Sequence, residues 1–169
     1  IGAMLDRGPL GIVVPMVHNA AAAEAAVFAT RFPPRGGRSM GPYGCRAYGA
    51  DYLKWANDEI FLTIQIETQE GLDNVDAIMA VDGIDGCWVG PGDLAASIGA
   101  PIGTPKHDAA MVRIVEACKK HGKIPGTFSV GWTERRLEQG YLFVTPAADT
   151  RLLEDGMRDM IARLKPFAK

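Results

Sequence analysis

The chain has 169 residues, with 18 Lys and Arg against 20 Asp and Glu, for a formal net charge of −2. That is about one domain's length, and the near-neutral balance argues against a binder driven by phosphate neutralisation, which wants a basic face. Apolar residues at 47% and charged ones at 22% exclude a mainly disordered chain, and no apolar run approaches the roughly 20 residues of a membrane-spanning helix.

Cys45, Cys87 and Cys118 are widely spaced, without a CxxC or Cys/His zinc pattern, so neither a disulfide framework nor structural zinc is expected. A reducing cytoplasm fits this usage best. In chain order, IGAMLDRG reads as the back half of a helix closed by Gly8, so the chain is expected to start inside a larger domain. Leu10 to Val17 is a short apolar run, expected as a buried strand. Asn19 is placed to cap an Ala-rich helix that ends before Pro33 and Pro34. Arg35 to Ala50 is polar and Gly-rich and reads as a loop, with Arg35 and Arg38 solvated or at an interface. DYLKWANDEI reads as helix, Phe61 to Thr68 as a second strand and GLDNVDAIMAV as a helix behind it. GCWVGPGDL gives a third strand ending at Gly90-Pro91-Gly92-Asp93. HDAAMVRIVEACKKHG places Met111, Ile114, Val115 and Cys118 at helical spacing. KIPGTFSV is a fourth strand, WTERRLEQG a helix ended by Gly140, YLFVTPA a fifth strand, and Thr150 to Leu164 a final helix.

Strands that read as continuous apolar runs, each followed by a helix, imply a parallel sheet covered on both faces. A doubly wound nucleotide-binding sheet would carry a Gly-rich turn after its first strand, and VPMVHNAAAAE has no glycine there. The barrel reading is therefore the stronger, and barrels place their chemistry at the C-terminal strand ends. Alternation puts Gln65 and Glu67 on one face of the second strand. Polar groups on an inward face are costly unless something binds them. Asp93 lies at the end of the next strand, and two carboxylates on neighbouring strand ends suit a hard divalent cation. Gly92 leaves backbone N–H groups at the following helix open to an anion. From pattern alone, Glu67 reads equally as a surface strand-end residue and Asp93 as a helix cap.

The segments GIVVPMV (Gly11 to Val17), RFPPRGGRSMG (Arg31 to Gly41), YGADY (Tyr48 to Tyr52), QIET (Gln65 to Thr68), Asn74-Val75-Asp76 and GPGDLAA (Gly90 to Ala96) resemble, in this order, the HpcH/HpaI aldolases. These are metal-dependent (class II) pyruvate aldolases, such as 2,4-dihydroxyhept-2-ene-1,7-dioate aldolase and 2-dehydro-3-deoxyglucarate aldolase. The resemblance implies an α/β fold, a (β/α)8 TIM barrel of the phosphoenolpyruvate/pyruvate-binding type. Residues 1–169 would then be a single domain holding about the last five β-α units, with strands 1–3 absent. It implies a homohexamer, a trimer of dimers that exchanges C-terminal helices. It implies that Glu67 and Asp93 bind Mg2+, Mn2+ or Co2+, that Gln65 touches the substrate, and that the backbone at Gly92 and Asp93 holds the pyruvate carboxylate. A metal-bound pyruvate enolate would then add to an aldehyde, or arise by cleavage of a 4-hydroxy-2-oxo acid. Asp6 matches a family aspartate that supports the catalytic histidine. That histidine and an oxyanion-steadying arginine have no counterpart here, and their region would precede Ile1; His18, His107 and His121 do not stand in the base's context. The eighth-strand segment FVTPAADT departs from the family's pattern at Pro146 and Ala147, which bears on substrate fit. A CoA-ester lyase of the citrate-lyase β type and a non-catalytic assembly subunit are the competing readings.

Overall fold

The computed structural model describes residues 1–168. Its helices are α1 (Gly2–Leu5), α2 (Ala20–Thr30), α3 (Tyr52–Glu59), α4 (Gln69–Asp73), α5 (Val75–Met79), α6 (Pro91–Ser97), α7 (Pro105–Lys120), α8 (Thr133–Gln139) and α9 (Asp149–Leu164). The strands are β1 (Gly11–Val14), β2 (Phe61–Ile66), β3 (Gly86–Val89), β4 (Ile124–Phe128) and β5 (Phe143–Thr145). All neighbours are parallel and the sheet order is β1-β2-β3-β4-β5. A doubly wound sheet reverses its order at a switch point, whereas a barrel adds each strand beside the last. Strictly sequential order therefore marks a curled partial barrel, as expected.

Alternation sorts the strand residues into two layers. Leu62, Ile64 and Ile66 of β2, with Cys87 and Val89 of β3, join Ile78, Met79, Met111, Ile114, Val115 and Cys118 in the main core between sheet and helices. The four helical positions read from the α7 pattern are all in that core. On the opposite, barrel-interior face, Phe61, Trp88 and Phe143 meet edge to face, with centroids 6.0 Å (Phe61–Phe143) and 4.9 Å (Trp88–Phe143) apart. Trp88 lies over Gly126, where a Cβ would come 2.9 Å from the indole, so this layer closes only over a glycine. A second cluster, Leu5, Phe32, Cys45, Tyr52, Ala56 and Ile60, packs at the N-terminal ends of the first two strands.

Local signals account for the boundaries. Asn19 accepts the Ala22 N–H at 2.9 Å, which caps α2 as expected. Gly140 ends α8 with φ +100°, a conformation that other residues reach only under strain. Three expectations need correction. The first strand is shorter than Leu10–Val17, because Pro15 has no N–H for the ladder and Met16 turns to φ +56°. GLDNVDAIMAV is not one helix but breaks at Asn74 into α4 and α5. Arg38 is neither solvated nor loose: its side chain is fully buried, 4.4 Å over the Phe32 ring, and donates to Asp6 Oδ1 at 2.9 Å and Tyr52 Oη at 3.2 Å. Arg35 behaves as expected, exposed and paired with Asp58. Residues 43–48 within that loop form a 3-10 turn.

Candidate active site

The C-terminal ends of β1, β2 and β3 form a rim. Glu67 follows the last residue of β2 and is only 4% exposed. Its Oε1 accepts the Met16 N–H at 2.9 Å, and its Oε2 accepts Gln65 Nε2 at 2.5 Å. Alternation thus brings Gln65 and Glu67 together, as their spacing requires. Ile66 pairs in register with Val89, so the residue beside Glu67 on the next strand is Gly90. A Cβ on Gly90 would lie 2.6 Å from Glu67 Oε2 and 2.8 Å from Gln65 Nε2. The absent side chain is the space the carboxylate occupies.

Gly90 leads into α6, which opens with Pro91, Gly92 and Asp93. Proline suits the first helical position because its missing N–H would have no intrahelical partner. The N–H groups of Gly92 and Asp93 lie in that first turn, ahead of the helical ladder. A Cβ at Gly92 would meet nothing within 4 Å, and Asp93 is exposed, so this turn faces open space. Beneath it His107 is fully buried on α7, with Nε2 3.2 Å from the Pro91 carbonyl. That carbonyl can only accept, so Nε2 carries the proton and Nδ1 is left, among the described residues, without a partner. Burial holds the ring below its ordinary pKa, which keeps it neutral.

The electrostatics distinguish Glu67. Both its hydrogen-bond donors are neutral, and among the described residues no Lys, Arg or His forms an ion pair with it. A buried carboxylate without a counter-charge costs several kcal/mol. A divalent cation would supply the missing charge, and a buried carboxylate with neutral donors, one strand from the exposed Asp93, is the donor chemistry a hard ion takes. Among the described residues no cluster of three or more His, Cys, Asp or Glu stands ready to hold a metal. The chemistry of Glu67 fits such an ion, with water and substrate oxygens to complete its shell.

Three further placements bear on the sequence reading. His18 stands on the rim after all, its Nδ1 2.9 Å from Thr68 Oγ1, one residue beyond Glu67. His121 hydrogen-bonds Asp76 at 3.1 Å, far along α7 from the rim end. Asp6 precedes β1 and belongs to the opposite end of the sheet, paired with Arg38; the chain does not bring it to Glu67. Two contributors escaped sequence reasoning, the Met16 N–H and the bare Cα of Gly90. A backbone donor in an apolar segment leaves no residue-type signal, although the GPGD turn marks Gly90's neighbourhood.

Residues 1–155 match the family described as HpcH/HpaI aldolase/citrate lyase. The chain belongs to this family. It is 42% identical to the 4-hydroxy-2-oxo-heptane-1,7-dioate aldolase of Salmonella arizonae, over 95% of this chain and 64% of that protein. It is 40% identical to the hydroxypyruvate/pyruvate aldolase of Pseudomonas aeruginosa, over 96% of this chain and 63% of that one. The chain thus spans a little under two thirds of these curated relatives. The fold superposes with a TM-score of 0.88 on an HpcH/HpaI aldolase/citrate lyase family protein from Burkholderia cenocepacia, 32% identical, covering 97% of this chain and 68% of the other. Among the described residues no helix is long and apolar enough to cross a membrane.

Proposed function

We propose that the polypeptide carrying this chain is a divalent-metal-dependent carbon–carbon lyase that cleaves or forms 4-hydroxy-2-oxo acids. The observation that carries the reading is Glu67, a buried, uncompensated carboxylate on the rim of a barrel sheet, with Asp93 on the next strand's exit. Relatives named as aldolases favour this over the CoA-ester lyase reading.

Glu67 and Asp93 would hold Mg2+, Mn2+ or Co2+. When bound, the ion supplies Lewis acidity that stabilises the enolate of a 2-oxo acid. The N–H groups of Gly92 and Asp93 would take the substrate carboxylate at the first turn of α6. Gln65 fixes Glu67 through one amide N–H and keeps its carbonyl and second N–H for the substrate. Trp88, in register with Gln65, and Phe143 line the barrel-interior face below the rim. We assign proton transfer to none of His18, His107 and His121; support of a base by Asp6 rests on the family resemblance. The chain would be the C-terminal part of a single (β/α)8 barrel domain. The apolar face of α9, with Leu153 67% and Ile161 64% exposed, would pack against another subunit in a homohexamer. The three free, buried cysteines suit the cytoplasm.

The test is pyruvate release from a 4-hydroxy-2-oxo acid by the full-length protein, coupled to lactate dehydrogenase, after EDTA treatment and again after adding Mn2+. Activity lost and then restored is expected. Release that ignores EDTA would remove the metal from the account, and no release with any of the three ions would remove the aldolase.

A further inference from the structure

Met16 is the one non-glycine residue with positive φ among the described residues, at +56°. An unbranched, bulky side chain in this region is strained, and such strain persists only where the surroundings over-determine it. Packing of the side chain does not compensate, because Met16 is 54% exposed. What the turn does is aim its N–H at Glu67 Oε1, 2.9 Å away.

Both sides of the turn are anchored. Val14 is held in the sheet opposite Ile64, and Pro15 ends the ladder. Val17 is 4% exposed and belongs to the main core, with its carbonyl so close to α4 that a Cβ on Gly71 would come within 3.0 Å of it. The His18 carbonyl accepts Asn74 Nδ2 at 2.9 Å, and its ring bonds Thr68. The peptide between these anchors has its polar contact with Glu67. With Met16 on Oε1 and Gln65 on Oε2, neither carboxylate oxygen can swing away, and each retains a free lone pair.

We propose that Met16 is a positioning residue: its left-handed backbone orients the Glu67 carboxylate for a divalent cation that Met16 itself does not touch. This rests on the reading of Glu67 as a metal ligand. Partners that orient a ligand typically change metal affinity by about 10–100-fold.

The test is Mn2+ binding to the full-length protein, with free Mn2+ read by electron paramagnetic resonance. M16G and M16N both tolerate positive φ and are expected to bind within about twofold of wild type. M16V, β-branched and ill-suited to this conformation, is expected to bind about 10-fold or more weakly. A merely structural role would lower the melting temperature of M16V and leave Mn2+ affinity of the folded protein unchanged, which would overturn the proposal. If M16V does not fold, M16G and M16N decide, because weakened binding in both would assign the effect to the side chain and refute the backbone role. E67Q separates the two layers. Binding lost in E67Q but normal in M16V refutes only Met16, and binding retained in E67Q refutes Met16 and the metal reading together.

Discussion

Asp108 and Glu67 are both buried carboxylates, and their surroundings are opposite. Asp108, 8% exposed on α7, is gripped by Arg136 Nη1 at 3.0 Å, by Arg135 and by Gln139 Nε2 at 3.4 Å, all from α8 and its end. Glu67, 4% exposed on the rim, has only a backbone N–H and an amide. The first charge is neutralised inside the fold, and the second has no counter-charge among the described residues. Burial alone thus does not single out Glu67; what sets it apart is burial without a counter-charge at a strand's C-terminal end, and the proposed cation role rests on that.

The comparison is broken most severely at Asp108. D108N leaves the Arg136 guanidinium, 1% exposed, without its counter-charge, and a loss of about 3–5 kcal/mol in urea unfolding is expected. E67Q is expected to do the reverse: it removes a buried charge that has no partner, so metal-free stability should hold or rise, while Mn2+ binding weakens by about 100-fold, near 2.7 kcal/mol, in a titration. G90A comes next. Its Cβ would stand 2.6 Å from Glu67 Oε2 and force the carboxylate off its Met16 and Gln65 donors, so Mn2+ should bind about 10-fold more weakly and the melting temperature should fall with the loss of those hydrogen bonds, about 1–2 kcal/mol.

The smallest effect is on pH. Burial alone would raise the Asp108 carboxyl, but hydrogen bonds from Arg136, Arg135 and Gln139 outweigh it and hold the group below its ordinary value. A depressed folded-state pKa gives stability that is whole above the unfolded value near 3.9 and lost as pH falls through the folded one. Wild type should therefore lose its stability margin over D108N below about pH 4, read as converging melting temperatures, and keep the margin unchanged from pH 5 to 7.

How much of this was legible follows from what a side-chain pattern records. Period-two alternation placed Gln65 and Glu67 on one face, and helical spacing placed Met111, Ile114, Val115 and Cys118 in the core. Both rules are local, and the structure keeps both. α9 shows their limit. It has the same 16-residue length as α7, where eight residues are buried, yet none of its own are. Amphipathicity announces a covered face without saying what covers it. Arg38 was misjudged because its aromatic partners Phe32 and Tyr52 and its counter-charge Asp6 are brought together only by the fold. The Met16 donor was invisible because every residue but proline carries the same N–H.

The most direct measurement is anomalous diffraction from crystals of the full-length protein grown with Mn2+. The expected result is one peak at the rim, within about 2.5 Å of carboxylate oxygens of both Glu67 and Asp93. A well-ordered rim with no peak there, or Mn2+ bound without Glu67, would contradict the account at its centre.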